Sequence, residues 1–457
     1  MAIPFKQCLA RWSYSSLWRL LSPFYVFKLW WRGRKEPVYR QHIGERFGLY
    51  GSTPAAAHAG SYVWVHAVSL GEARAAAVLI DELRRQIPDM KLLLTHGTAT
   101  GRVQGKAILR EGDIQCWLPI DTPGSVKRFF RHFRPQVGLL METEMWPNVM
   151  HMAQKQQVPM YLVNARLSRR SLKGMKKVNT LLRPAYAALN AALAQSRSDA
   201  RRLKEAGVAT VEVLGNLKFD MQPDPALLAR GRQWKLAESR PIIMAASTRE
   251  GEEADLLQAW QAMSWHALLP DQRPVLLLVP RHPQRFDAVA RLVSDAGLTL
   301  SCRSAWPAAR LDAAGQQAAS VFEAAAVRNT GMEPEEAQIW LGDSLGEMPL
   351  YYGMADIVLL GGSFKDYGGQ NLLEALACDS PVIMGEYTYN FTWASEMALQ
   401  AGVACRVADF AQALSQVQHW LEQPQQLRTL QAQASGFIHA HQGAAQHMAE
   451  YIAGRLR

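Results

Sequence analysis

Short apolar runs set apart by helix-length intervals constrain this chain more than any other feature. They fall first at 62–65, 92–95, 116–118, 137–141, 160–163, 191–194 and 211–214, and again at 242–246, 275–279, 298–300, 339–341, 357–360 and 382–384. Each reads as a short strand, and most intervals leave room for one helix, which is the pattern of strands laid parallel with helical crossovers. The expected fold class is α/β, with two doubly wound, Rossmann-like domains. The polar, Pro-containing stretch 220–225 marks their junction near residue 220, and residues 410–452 read as wholly helical. A chain of 457 residues with 49% hydrophobic content has core enough for two such domains.

The formal charge of +10 is placed unevenly, since residues 1–40 hold eight Lys or Arg against one acid, Glu36. Within them, 17–31 is rich in Leu, Phe, Tyr and Trp but is broken by Arg19, Pro23 and Lys28. That run is too interrupted for a confident spanning helix and lacks a small-residue cleavage site. Aromatic rings beside cations suit the lipid headgroup boundary, so 1–35 is expected to be a membrane-associated segment on anionic lipid; a domain-capping helix with solvated cations is the competing reading. No nucleic-acid motif accompanies the charge, and no nucleic-acid partner is expected. Cys8, Cys116, Cys302, Cys378 and Cys405 are odd in number and lie in no metal-binding spacing, so they read as thiols in a reducing compartment.

Most of the ligand-binding signals gather in residues 342–390. Ser344 and Glu347 have the spacing of a capping box, and Gly361, Gly362, Gly368 and Gly369 follow the strand at 357–360 before a helical pattern resumes at 371–377. A strand, a glycine loop and a helix N-terminus can offer free N–H groups to a phosphate. Arg281, held between Pro280 and the His282-Pro283 pair at the end of another strand, is placed for a phosphate or a base. Ser247 and Thr248 are further candidates, with helix capping as the plainer alternative. Neither GxGxxG nor GxxxxGK[ST] occurs, which removes support for a dinucleotide dehydrogenase or a P-loop ATPase.

In the first half, Glu72 begins a helical run after a strand, where the helix dipole favours its ionised form; it is a candidate base or a helix-stabilising acid. Glu142 and Glu144 follow the strand at 137–141, and at i and i+2 on an extended segment they would point the same way. No D-x-D motif occurs, so a metal-independent site without a cofactor is expected. Residues 164–183 carry seven cations, among them Arg166, Arg169 and Arg170, and no acid; they read equally as a solvated face or as a site for lipid or acceptor phosphates. Lys218 closes the first half.

The runs HAVSLGE, LPIDTPG, METEMWPN, NARLSRRS, GNLKFD, AASTREGEE, VPRHPQRF, GDSLGE, GGQNLLE and PVIMGEYTYNF, in this order, resemble the 3-deoxy-D-manno-octulosonic acid (Kdo) transferases of lipopolysaccharide core biosynthesis. The resemblance covers nearly the whole chain and implies a glycosyltransferase-B architecture. Its two domains would face a cleft: an acceptor-binding domain over 36–220 and a CMP-sugar donor-binding domain over 221–457, whose helical tail crosses back to the first. It implies an inverting transfer of Kdo from CMP-Kdo to a lipid A precursor, a tetraacyl disaccharide bisphosphate, at the cytoplasmic face of the inner membrane. By the same resemblance Glu72 is the base, Glu142 lies near the reaction centre and Lys218 meets developing charge. CMP would be held by Pro280 and Arg281, by the turn of Leu345, Gly346 and Glu347, by Asn371, Leu372, Leu373 and Glu374, and by Ser247. The family commonly has His where Arg249 and Gln370 stand. A nucleotide-sugar epimerase or another glycosyltransferase of the same fold, and a catalytically inactive membrane-associated binding protein, are the alternative functions.

Overall fold

The computed structural model describes residues 5–51, 62–306 and 334–456, and every expected strand and site residue lies among them. The chain divides into two compact units, Met1–Met221 with His441–Arg457 and Gln222–Ala440. Each is built on a seven-stranded parallel sheet.

In the first unit the strands are β1 (Tyr62–His66), β2 (Lys91–His96), β3 (Ile114–Trp117), β4 (Val137–Met141), β5 (Met160–Ala165), β6 (Ala191–Ala194) and β7 (Val211–Val213), in the spatial order β3-β2-β1-β4-β5-β6-β7. Every residue of β1, β4, β5 and β6 is buried, as expected for strands covered by helices on both faces. One face packs Trp64 against Phe129 and Phe130, and Tyr62 against Phe133, of the helix Pro123–Phe133. The Trp64 indole N–H, which would otherwise be stranded in this core, donates to Thr95 Oγ1 at 2.8 Å. The other face is covered by the helix Leu70–Gln86 and by the last helix, Ala444–Ala453, whose Ala445, Met448, Ala449 and Ile452 enter the core of the first unit.

The second unit has β8 (Ile242–Thr248), β9 (Val275–Pro280), β10 (Leu300–Cys302), β11 (Ile339–Leu341), β12 (Ile357–Leu360), β13 (Val382–Met384) and β14 (Ala404–Arg406), ordered β10-β11-β9-β8-β12-β13-β14. The strand expected at 298–300 lies two residues later. β14 escapes an apolar-run reading because Arg406 ends it and Cys405 is only partly buried. In each sheet the strand order reverses beside a central pair, β1 with β4 and β8 with β12. Ligands of open α/β sheets bind in the crevice that such a reversal leaves at the carboxyl ends of the strands.

The N-terminal stretch forms one helix, Phe5–Arg32, with Pro23 inside it. It clusters with the first unit rather than standing apart. Ser15 is buried and its hydroxyl contacts the Asn148 amide, while Leu29 packs with Tyr39, Ala99 and Trp117. Its outward face carries exposed Leu20, Phe24, Phe27 and Trp31. Among the described residues no helix is long and apolar enough to cross a membrane.

Candidate active site

The crevice at β1 and β4 gathers three carboxylates. Glu72 occupies the first turn of the helix Leu70–Gln86, capped by Ser69, whose Oγ accepts the Glu72 N–H and donates to Glu72 Oε1 at 3.0 Å. Glu72 Oε2 accepts the Val68 N–H at 2.9 Å. The local bonds are those of a helix-capping acid, so the plainer sequence reading is realised in full. The electrostatics are not those of a cap alone. Burial raises the Glu72 carboxyl above its ordinary range and the neighbouring Glu142 charge adds to this, against the lowering effect of the Val68 and Ser69 bonds and of Arg166. Burial thus outweighs the bonds that favour the ionised form.

Glu142 follows β4 with φ +54°, and Asn164 near the end of β5 has φ +49°. This left-handed pair replaces the extended segment expected there. Their backbones interlock: Glu142 N–H donates to Val163 O and Arg166 N–H to Glu142 O. Strain of this kind costs roughly 1–3 kcal/mol per residue and persists where the surroundings over-determine it. It aims Glu142 between two cations, with Arg166 Nε at 3.3 Å from Oε2 and Lys218 Nζ at 3.7 Å from Oε1. Lys218 sits in the short turn Leu217–Phe219, which is pinned by Asn216 accepting the Lys218 N–H and by Asn164 Oδ1 accepting the Leu217 N–H.

Glu144 accepts the Trp146 indole N–H at 2.9 Å. Burial, then the charges of Glu72 and Glu142, push its carboxyl up to about 7. Beyond it lies a group that the sequence reading did not single out. His66 ends β1 fully buried, with Nδ1 at 3.1 Å from Thr95 O and Nε2 at 3.9 Å from Glu144 Oε2 without a hydrogen bond. Burial drives the imidazole down to about 3, with His96 adding to the effect, so it is neutral. A proton on Nδ1 donated to Thr95 O leaves the Nε2 lone pair facing the Glu144 carboxyl. The only sequence signal was its place at the start of HAVSLGE, six residues before Glu72.

Of the basic block, only Arg166 joins this cluster. Arg169 and Arg170 begin the exposed helix Arg169–Lys177, capped by Ser168, and Arg169 faces the neighbouring helix instead.

In the second unit the nucleotide candidates converge at β8, β9 and β12. Ser247 bulges out of β8 with φ +57°, and neither it nor Thr248 caps a helix; the Thr248 hydroxyl is bound to buried Glu253. Gly361 runs against this bulge, where a Cβ would lie 2.5 Å from Ser247 O. The loop that follows is held by a residue that sequence reasoning passed over. Glu252 is fully buried and accepts the N–H groups of Arg249, Gly362 and Phe364 at 2.7, 2.7 and 3.1 Å. Pro280 ends β9 and Arg281 is exposed, its N–H donating to Thr248 O.

Ser344 and Glu347 do not form the expected capping box. The helix Met348–Met354 starts after Glu347, whose carboxylate is bound by buried Arg303 at 2.8 Å and by the Ser344 hydroxyl. That leaves the exposed Leu345 and Gly346, the latter at φ +84°, to present backbone. Asn371 does cap its helix, Leu372–Leu376, and its amide reaches Glu374 at 3.1 Å. Leu372 and Leu373 are core side chains and the Leu373 N–H donates to Asn371 Oδ1, which leaves the Leu372 N–H to meet a ligand. Arg249 and Gln370, the two departures from the family pattern, border one point: a Cβ on Gly362 would lie 2.9 Å from Gln370 Nε2 and 3.5 Å from Arg249 Cγ. Arg249 also stacks on Tyr367 and meets His282 Nε2 at 2.9 Å. Among the described residues no group of three or more His, Cys, Asp or Glu could hold a metal ion.

The family described as "3-Deoxy-D-manno-octulosonic-acid transferase (kdotransferase)" matches residues 41–221. A 3-deoxy-D-manno-octulosonic acid transferase of Bordetella pertussis is 41% identical over 439 residues, covering 94% of this chain and 96% of its own. One from Haemophilus influenzae is 32% identical and covers 88% of each. Among solved structures, a putative UDP-N-acetylglucosamine 2-epimerase from Listeria monocytogenes has a TM-score of 0.56 at 15% identity, over 87% of this chain and 97% of its own. A glycosyltransferase from Rickettsia africae has a TM-score of 0.52 at 12% identity, over 87% and 98%. At such identities these two bear on the fold alone, which is two parallel-sheet α/β domains like those of glycosyltransferase-B enzymes. Identity of 41% across almost the full length of both partners is kinship of another order, and the chain belongs to the 3-deoxy-D-manno-octulosonic acid transferase family, a family of glycosyltransferases.

Proposed function

We propose that this chain transfers Kdo from CMP-Kdo to a glucosamine hydroxyl of a lipid A precursor, with inversion at the anomeric carbon, in lipopolysaccharide core biosynthesis. The observation that carries the mechanism is the cluster of Glu72, Glu142, Arg166 and Lys218 at the carboxyl ends of β1 and β4. Glu72 has a carboxyl raised by burial, which makes its ionised form a stronger base than an exposed carboxylate. It takes the proton of the attacking hydroxyl as the new bond to the anomeric carbon forms and the bond to the CMP phosphate oxygen breaks. Lys218 supplies positive charge for the oxygen that becomes negative, and Glu142 fixes that cation. In the second unit, Arg281 and the N–H groups at Leu345, Gly346 and Leu372 bind the phosphate, while Glu374 reaches the ribose hydroxyls. The reaction proceeds at the cytoplasmic face of the inner membrane, with the exposed apolar face of the helix Phe5–Arg32 lying on anionic lipid; its Leu, Phe and Trp side chains next to Arg and Lys support this reading.

Incubation with CMP-Kdo and acylated glucosamine disaccharide, followed by CMP release, product mass and the anomeric configuration of the new linkage, tests the proposal. Stoichiometric CMP release with an inverted linkage is expected, and undiminished in excess chelator. Epimerised sugar without transfer would identify an epimerase, and no turnover with intact ligand binding would identify a binding protein.

A further inference from the structure

The helix Arg169–Lys177 and the helix Arg197–Ala206 flank a groove of about 520 Å³ in the first unit. That volume lies within the range of small-molecule sites and exceeds what one phosphate fills. Arg169, Lys173 and Lys176, at i, i+4 and i+7, line one wall. Arg197, Arg201 and Arg202 line the other, Leu172 gives an apolar patch, and Glu205 is the one acid. Lys176 pairs with Glu205, and Arg202 pairs with Asp199 and with the Leu167 carbonyl. Among the described residues Arg169, Lys173, Arg197 and Arg201 form no ion pair. A solvated helix face spreads its cations outward, whereas here two helices from separate stretches of chain turn theirs into one concavity. Like charges at i, i+4 weaken a helix, so both walls carry a repulsion that an anion in the groove relieves. Arg169 is three residues beyond Arg166, the partner of Glu142, which puts the groove's edge within roughly 10 Å of chain from the carboxylate cluster.

We propose that this groove binds a phosphate monoester on the head group of the glycolipid acceptor and so orients its sugar hydroxyl toward Glu72. The inference rests on the acceptor class named above and adds where its phosphate is held. The same chemistry occurs in phospholipid head groups, so the test separates the two sources. Binding of acylated glucosamine disaccharide with and without phosphates is measured in uncharged detergent micelles, for the wild type and for Lys173→Gln/Arg201→Gln. Sedimentation with phosphatidylglycerol vesicles is measured alongside.

The wild type is expected to prefer the phosphorylated glycolipid by about tenfold or more, since each charged hydrogen bond is worth about that factor. The preference should shrink with added salt. The double variant loses it while keeping its thermal midpoint and CMP affinity, and Lys173→Arg/Arg201→Lys restores it. A variant that folds and keeps the full preference overturns the proposal. So does one that loses only vesicle binding, which would make the groove a lipid-surface patch. Should the Gln variant fail to fold, preference lost in the folded Lys173→Ala variant alone decides the matter, and its retention overturns the proposal. Because binding is read without turnover, phosphate preference without transfer refutes the transferase mechanism and leaves the groove standing, while transfer without phosphate preference refutes the groove.

Discussion

Glu72 is bound as a helix cap and the proposed mechanism makes it the base, and replacing it separates these roles. Glu72→Gln keeps the side-chain acceptor and the length, so the helix should survive while the rate of transfer falls by ~10²–10⁴-fold, the loss typical of a general base. CMP titration should be unchanged, because the proposed nucleotide residues belong to the other unit; a parallel loss of CMP affinity would make Glu72 a folding residue. Glu144 and His66 make a pH signature of opposite signs. The folded protein keeps the Glu144 proton from about pH 4.5 to about 7, where the unfolded chain has released it, so this group costs stability as pH rises through that window. His66, neutral in the fold and charged in the unfolded chain below pH 6.5, costs stability as pH falls from there toward 3. Thermal midpoints of Glu144→Gln should therefore decline less than those of the wild type between pH 5 and 7.5. An identical slope would mean that the carboxyl is already ionised at the low end.

At the scale of elements, Gly361 is a tight join between the end of β12 and its loop. A methyl there would sit 2.5 Å from Ser247 O and 2.6 Å from Ala246 O, both backbone atoms that cannot step aside. Gly361→Ala should cost about 1–3 kcal/mol of stability and weaken CMP binding, read by thermal midpoint and titration; unchanged CMP affinity would place the nucleotide elsewhere. All thirteen apolar runs became strands, most of them because burial on both faces leaves a signature in single residues; the edge strand β7, with Glu212 and Val213 exposed, is the exception. β14 left none, since it is a three-residue edge strand in which only Ala404 is buried. The same limit explains the site. Glu72, Glu142, Lys218 and Arg281 follow strand ends, where topology alone brings each to the carboxyl edge of its own unit's sheet. The Glu142 turn, the Arg303 grip on Glu347 and the burial of His66 depend on contacts between residues 20 to more than 40 positions apart, which no local pattern encodes.

For the molecule as a whole, the helix Phe5–Arg32 offers a lipid surface test that spares its packed side. Leu20, Phe24 and Phe27 are 68%, 71% and 60% exposed, so changing all three to Gln should leave the thermal midpoint intact. Each apolar side chain buried in lipid contributes about 1.5–3 kcal/mol, so the triple variant should pellet far less with anionic vesicles. Full retention would move the contact surface elsewhere. The return of residues 441–457 to the first unit has a different kind of consequence, one of timing. Ala445, Met448, Ala449 and Ile452 fill a core whose other members were synthesised hundreds of residues earlier. On the ribosome the unit that begins first must wait with one flank of its sheet bare, and the unit that begins second is complete in sequence before it; the half of the protein carrying Glu72 is the last to close.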